Sequence, residues 1–148
     1  MKSIRSLDVS AMTHDHAVTV IATYMQLMRD PDCASSNFYK RMFELDSSLQ
    51  SLFSADMEDQ KQKFFQLLTT IVRSLDNMDR AKPMLQHLAE RHQGYGVQAD
   101  YFKVGGEALL YAVQACLGPA FTADVEIAWR EAYKQMYQII VATYQEMK

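Results

Sequence analysis

The stretch LQHLAERHQGYGV, residues 85–97, decides the fold. Leu85, Leu88 and His92 stand at i, i+3 and i+7, so they share one face of a helix. That face is apolar until its last member, which carries an imidazole. Gly94 and Gly96 close the segment, as glycines commonly do at helix ends. Pro83, just upstream, suits a first helical turn. His87 precedes His92 by five residues, roughly 140° around a helix, and so faces elsewhere. His92 is then one of two things: a hydrogen-bonded core histidine, or a ligand.

The preceding helix carries a second anomaly. Met57, Gln60, Phe64, Leu67, Ile71 and Leu75 keep helical spacing and form one stripe. Gln60 is the amide in that row of hydrophobes. It either reaches solvent near the helix start or points into a pocket. A buried amide without partners costs about 1–3 kcal/mol. A cofactor buried between the two helices accounts for Gln60 and His92 together. Ser54 is expected to cap this helix, with Asp56, Glu58 and Asp59 favourable to its dipole.

Outward from these helices, periods of three and four dominate. A first helix is expected from about Thr13 to Arg29, with Ala17, Val18, Ile21, Tyr24, Met25 and Met28 inward and Pro31 ending it. A second runs from about Cys33 to Leu45, then a short turn from Ser47 to Phe53. The helix begun at Ser54 ends near Asn77, and the His92 helix ends at Gly94. A long helix from about Gln98 to Leu117 stops at Gly118-Pro119. Thr122 caps a last helix carrying Trp129, Tyr133, Met136, Tyr137 and Ile140. The fold class is all-α, and the 148 residues suit a single domain.

Composition narrows the function. Hydrophobic residues make up 49%, charged residues 22%, and the formal net charge is -3. No basic cluster offers a nucleic-acid partner a footprint. No apolar run reaches the ~18 residues of a membrane span, and Met1 to Ser10 hold no signal-like core. Two cysteines, Cys33 and Cys116, make no disulfide framework; Cys116 reads as a small buried hydrophobe. A reducing, cytoplasmic setting follows. Motifs of hydrolases, nucleotide binders, zinc proteases and calcium loops are absent. His14 and His16 diverge on a helix and make no metal pair. A closed zinc site wants four ligands, whereas one inward histidine suits an axial haem ligand.

Three separated stretches then resemble one family: FYKRMFELDSSLQSLF (38–53), HLAERHQGYGV (87–97), and GGEALLYAVQACLGPAF with the AW and AY that follow it (105–133). From Asn37 to Tyr144 the chain resembles a globin, near in style to neuroglobins and single-domain bacterial haemoglobins. The resemblance implies a 3-on-3 helical sandwich around haem b. Residues 1–148 would form one globin domain, with 1–34 a weakly matched extension and first helix. It implies that His92 binds the iron and that Phe53 stacks on the haem. Tyr39 and Gln60 take the distal side, and Lys63 pairs with a propionate. Phe64, Leu67, Leu88, Val97 and Phe102 line the pocket, and Trp129 and Tyr133 match the last-helix aromatics.

Departures from the family pattern refine the expectation. Gly105 stands where a branched aliphatic is usual, which suggests a volume exchange with Phe64 or an opened tunnel. Phe102 and Tyr144 stand where flavohaemoglobins place a Tyr and a Glu behind the proximal histidine, so strong electron push on the iron is not expected. Gln60 is no strong iron ligand, so an open distal side is expected, with Lys61 or Lys63 the residues that could swing in. The implied activity is reversible binding of dioxygen or another diatomic gas for storage, transport or scavenging. The alternatives are nitric oxide dioxygenase or nitrite reductase with an external reductase, and a gas sensor.

Overall fold

The computed structural model describes residues 14–52, 56–94 and 96–147. Among these residues the chain forms six α-helices and no strand. They are α1 (His14–Leu27), α2 (Pro31–Leu45), α3 (Met57–Arg73), α4 (Lys82–Gly94), α5 (Tyr101–Leu117) and α6 (Ala123–Glu146). Single 3-10 segments at Ser47–Leu52, Met78–Ala81 and Gly118–Ala120 join them.

Local chemistry sets the boundaries. Pro31 opens α2 rather than merely ending α1; at a first helical position its missing N–H costs nothing. The capping residue of α3 is Asp56, whose carboxylate accepts from the Asp59 N–H at 3.1 Å. Ser54, expected in that role, lies outside the described residues. The helix ends at Arg73, four residues short of the expected Asn77, and Asn77 instead caps the 3-10 turn that follows. At the end of α5, Gly118 takes φ +57, the left-handed region that favours glycine. Thr122 caps α6 as expected, its hydroxyl accepting from Val125 N–H at 3.3 Å.

Packing then joins distant segments. α2 lies along α5, and α1 and α4 both lie against α6. Val20, Leu85, Val113, Trp129 and Ile140 are fully buried. Truncating a core leucine or isoleucine of this kind to alanine costs about 2–5 kcal/mol. The Trp129 indole N–H donates to the Thr23 hydroxyl at 2.8 Å, which donates in turn to the Thr19 carbonyl.

That bond explains a correction in α1. Val18, Ile21 and Met25 were expected inward, yet they are the exposed apolar residues of the helix. Val20, Thr23 and Leu27 are buried in their place, with Ala17 and Tyr24 packed beside them. The rotation of α1 is set by the polar Thr23, which a purely apolar count assigns to the surface.

The cysteines bring a second correction. Cys33 and Cys116 form a disulfide across 83 residues, with Cα atoms 6.0 Å apart. The bond ties the start of α2 to the end of α5, so Cys116 is a half-buried cross-link rather than a buried thiol. The expectation of a reducing compartment loses its thiol argument. No helix among the described residues is long and apolar enough to cross a membrane.

Candidate functional site

A cavity of about 650 Å³ opens between α2, α3, α4, α5 and α6. His92 enters it from the last turn of α4. One helical turn earlier the Leu88 carbonyl lies 2.8 Å from His92 Nδ1. A carbonyl only accepts, so Nδ1 carries the proton and Nε2 carries the lone pair. Burial holds the imidazole below its usual pKa, with the Leu88 carbonyl opposing and Arg91 adding to the effect. The ring is thereby kept neutral, the state in which histidine binds a metal. His87 is exposed on the other side of α4.

Gln60 lies on α3 in the same cavity wall and is 5% exposed, so it does not reach solvent. The Tyr39 hydroxyl donates to the Gln60 main-chain carbonyl at 3.0 Å. That bond crosses from α2 to α3. A tyrosine has one O–H, so this donation occupies it. Burial, then the nearby Asp59 charge, push the Tyr39 pKa far upward, so the hydroxyl stays protonated. Phe38 stacks on Phe64 at 4.7 Å between centroids, and Tyr39 meets Phe64 edge-on at 6.2 Å. Beside Tyr39 and Gln60 this side of the cavity carries Phe38, Phe64, Leu67 and Leu68.

Behind His92 stand rings rather than carboxylates. Phe102 lies 5.5 Å from the imidazole and Tyr144 lies 5.9 Å from Phe102. The Tyr144 hydroxyl donates to the Val97 carbonyl at 2.6 Å. The acceptor for His92 is a neutral main-chain carbonyl, a weaker partner than a carboxylate.

Glycines shape the remaining wall. A Cβ on Gly106 would sit 2.6 Å from the Tyr133 ring, and one on Gly105 would sit 3.3 Å from its hydroxyl. The Tyr133 hydroxyl donates to the Phe102 carbonyl. The side chain seated in the space at Gly105 is therefore Tyr133, not Phe64, because no Phe64 atom lies within 4 Å of that Cβ position.

The cavity brings together Tyr39, Gln60, Lys63, Phe64, Leu67, Leu88, His92, Val97 and Phe102. Phe53 lies outside the described residues. Lys63 stands at the mouth and pairs with Asp59 at 3.0 Å. Lys61 is held by Asp32 and Glu58, at 3.6 and 3.7 Å. Arg91 also lines the cavity and was not foreseen; its signal was its place beside His92 at a helix end. Among the described residues no three His, Cys, Asp or Glu side chains gather to hold a metal ion. The donor set is thus one neutral imidazole in a mostly apolar cavity, with Arg91 and the Asp59-paired Lys63 as the cations at its mouth. These residues fit a haem, which needs one axial nitrogen, apolar faces and cations for its acidic edge.

The Globin family model matches residues 36–140. Neuroglobin-1 of Oncorhynchus mykiss is 33% identical over 118 residues, covering 70% of this chain and 72% of that protein. A flavohemoprotein of Halalkalibacterium halodurans is 26% identical over 144 residues, covering 95% of this chain and 35% of its relative. A flavohemoprotein of Chromobacterium violaceum is 30% identical, covering 77% of this chain and 29% of its relative. The chain therefore spans about a third of the length of the flavohemoproteins it matches. The chain belongs to the globin family. Haem is the group that membership implies for the cavity around His92, and a diatomic gas is the ligand it suggests.

Proposed function

We propose that this globin domain binds dioxygen reversibly, on haem b held through His92. When bound, haem would supply an iron able to take a diatomic gas. His92 Nε2 would hold the iron, with the imidazole oriented by the Leu88 carbonyl. Phe64, Leu67, Leu88, Val97 and Phe102 would exclude water from the faces of the ring. Lys63 or Arg91 meets the propionates at the mouth.

The observation that carries this reading is the buried side-chain amide of Gln60 in the cavity wall, on a residue whose main-chain carbonyl accepts from Tyr39. A polarised diatomic ligand carries partial negative charge and accepts a hydrogen bond worth about 1.5–3 kcal/mol. Gln60 is the donor suited to that role. Tyr39 fixes the Gln60 main chain, and so positions the amide. Tyr39 is not read as a second donor, because its proton already has an acceptor. We read Lys61 and Lys63 as staying off the iron, since each is paired with carboxylates.

The resemblance to flavohemoproteins favours a second reading, nitric oxide dioxygenation with an external reductase. Phe102 and Tyr144 behind His92 weigh against it, because they supply no carboxylate to strengthen the imidazole. Stopped-flow measurement of dioxygen release from the ferrous protein tests the first reading. Slow release that quickens in Gln60→Leu supports it. Fast release unchanged by the substitution contradicts it, and rapid nitric oxide consumption with an added reductase would move the assignment to the second.

A further inference from the structure

One face of α1 belongs to the fold and the other does not. Val20, Thr23 and Leu27 are buried, and the Thr23 hydroxyl accepts from the Trp129 indole. The opposite face carries Val18, Ile21 and Met25, which are 50%, 40% and 65% exposed, with the exposed Ala22 among them. A single exposed aliphatic needs no explanation, but three on one helix face form a patch. No Asp, Glu, Lys or Arg lies between Asp15 and Arg29. Asp15, Val18, Ala22, Met25 and Arg29 stand at i, i+3, i+7, i+10 and i+14, the heptad spacing of a helix seam. The Met28 and Arg29 N–H groups donate to the Tyr24 and Gln26 carbonyls at 3.0 and 3.2 Å, so the winding continues to the last of them. α1 contributes no residue to the cavity around His92.

The charges say what covers this seam. Asp15 opens it and Arg29 ends it, both exposed. Neither is ion-paired among the described residues. They stand at equal sequence distance on either side of Ala22. A two-fold axis at Ala22 therefore sets Asp15 of one copy against Arg29 of a second, and does so twice. The same rotation brings Val18 beside the second copy's Met25 and opposes the two helix dipoles. Ala22, the smallest side chain of the seam, lets the helices approach at the axis. A parallel pair would instead set Asp15 against Asp15. A membrane surface calls for several cations on such a face, and here there is one. The chemistry that complements this face is its own.

We propose that two copies of this chain associate through α1, antiparallel about a two-fold axis at Ala22. The seam is roughly 21 Å long at about 1.5 Å per residue. One helix pair of that length buries less than the roughly 1,600 Å² of a standard interface, so the dimer is a reversible one. Sedimentation velocity of the haem-loaded full chain, from about 10 µM to about 1 mM, tests it. The weight-average coefficient should rise toward a dimer's value across that range. Met25→Glu should weaken association about tenfold or more. Asp15→Arg and Arg29→Asp should each weaken it about threefold or more, and the two together should restore it to within about twofold of the parent chain. All three side chains are exposed, and an unchanged Soret band and thermal midpoint show that a variant is folded. A monomer throughout the range would overturn the proposal. So would association indifferent to Met25→Glu, which places the contact elsewhere. A double charge reversal as weak as the single ones would overturn the antiparallel pairing.

Discussion

His92 and Gln60 reach the same cavity from two helices, and they are held in different ways. His92 is fixed within its own helix, by a carbonyl one turn back. The Gln60 main chain is fixed across helices, its carbonyl accepting from a hydroxyl 21 residues away on α2. The first arrangement needs only a helix with the right register. The second needs α2 and α3 in their native places, and α2 is in turn clamped to α5 by the disulfide. The His92 wall is thus local and robust, and the Gln60 wall depends on tertiary packing. Anchoring is expected to survive perturbations that change ligand kinetics.

Substitutions separate the two walls. The largest effect is expected at the anchor. His92→Ala should lose stable haem retention, while the exposed His87→Ala should keep it, as judged by Soret absorbance after purification. Retention in both variants would mean that His92 is not the axial residue. Next comes the clamp. Removing a disulfide that closes a loop of this length costs about 2–5 kcal/mol. The double change Cys33→Ser and Cys116→Ser should therefore lower the urea midpoint of unfolding clearly, yet leave the haem bound at neutral pH. Gln60→Leu should speed dioxygen release by about ten- to a hundredfold, the kinetic equivalent of one charge-assisted hydrogen bond. Tyr39→Phe removes a neutral bond to a main-chain carbonyl. It should speed release by only about two- to tenfold. An effect of Tyr39→Phe larger than that of Gln60→Leu would make Tyr39 the direct donor and reverse their roles.

The same contrast governs what could be read before folding. Leu85, Leu88 and His92 announce their shared face by spacing alone, and so do Gln60, Phe64 and Ile71. From Asn37 to Tyr144 the chain carries a family resemblance that points to site residues, nine of which line one cavity. What spacing does not encode is pairing over distance. Thr23 is buried because Trp129 needs an acceptor 106 residues earlier, and this turned α1 away from the face its apolar residues suggest. Cys33 and Cys116 meet only because α2 and α5 pack together. Gly105 and Gly106 make room for Tyr133, a side chain 27 residues beyond Gly106 on the next long helix. Arg91 escaped notice because it sits on the solvent side of its helix pattern, yet reaches the cavity mouth.

The central claim is that His92 holds a haem whose other face stays open beside Gln60. The optical spectrum of the reduced, ligand-free, haem-loaded protein tests it most directly. A single broad visible band is the predicted result, the signature of iron held from one side. Two sharp split bands would show a second internal ligand and would contradict the account.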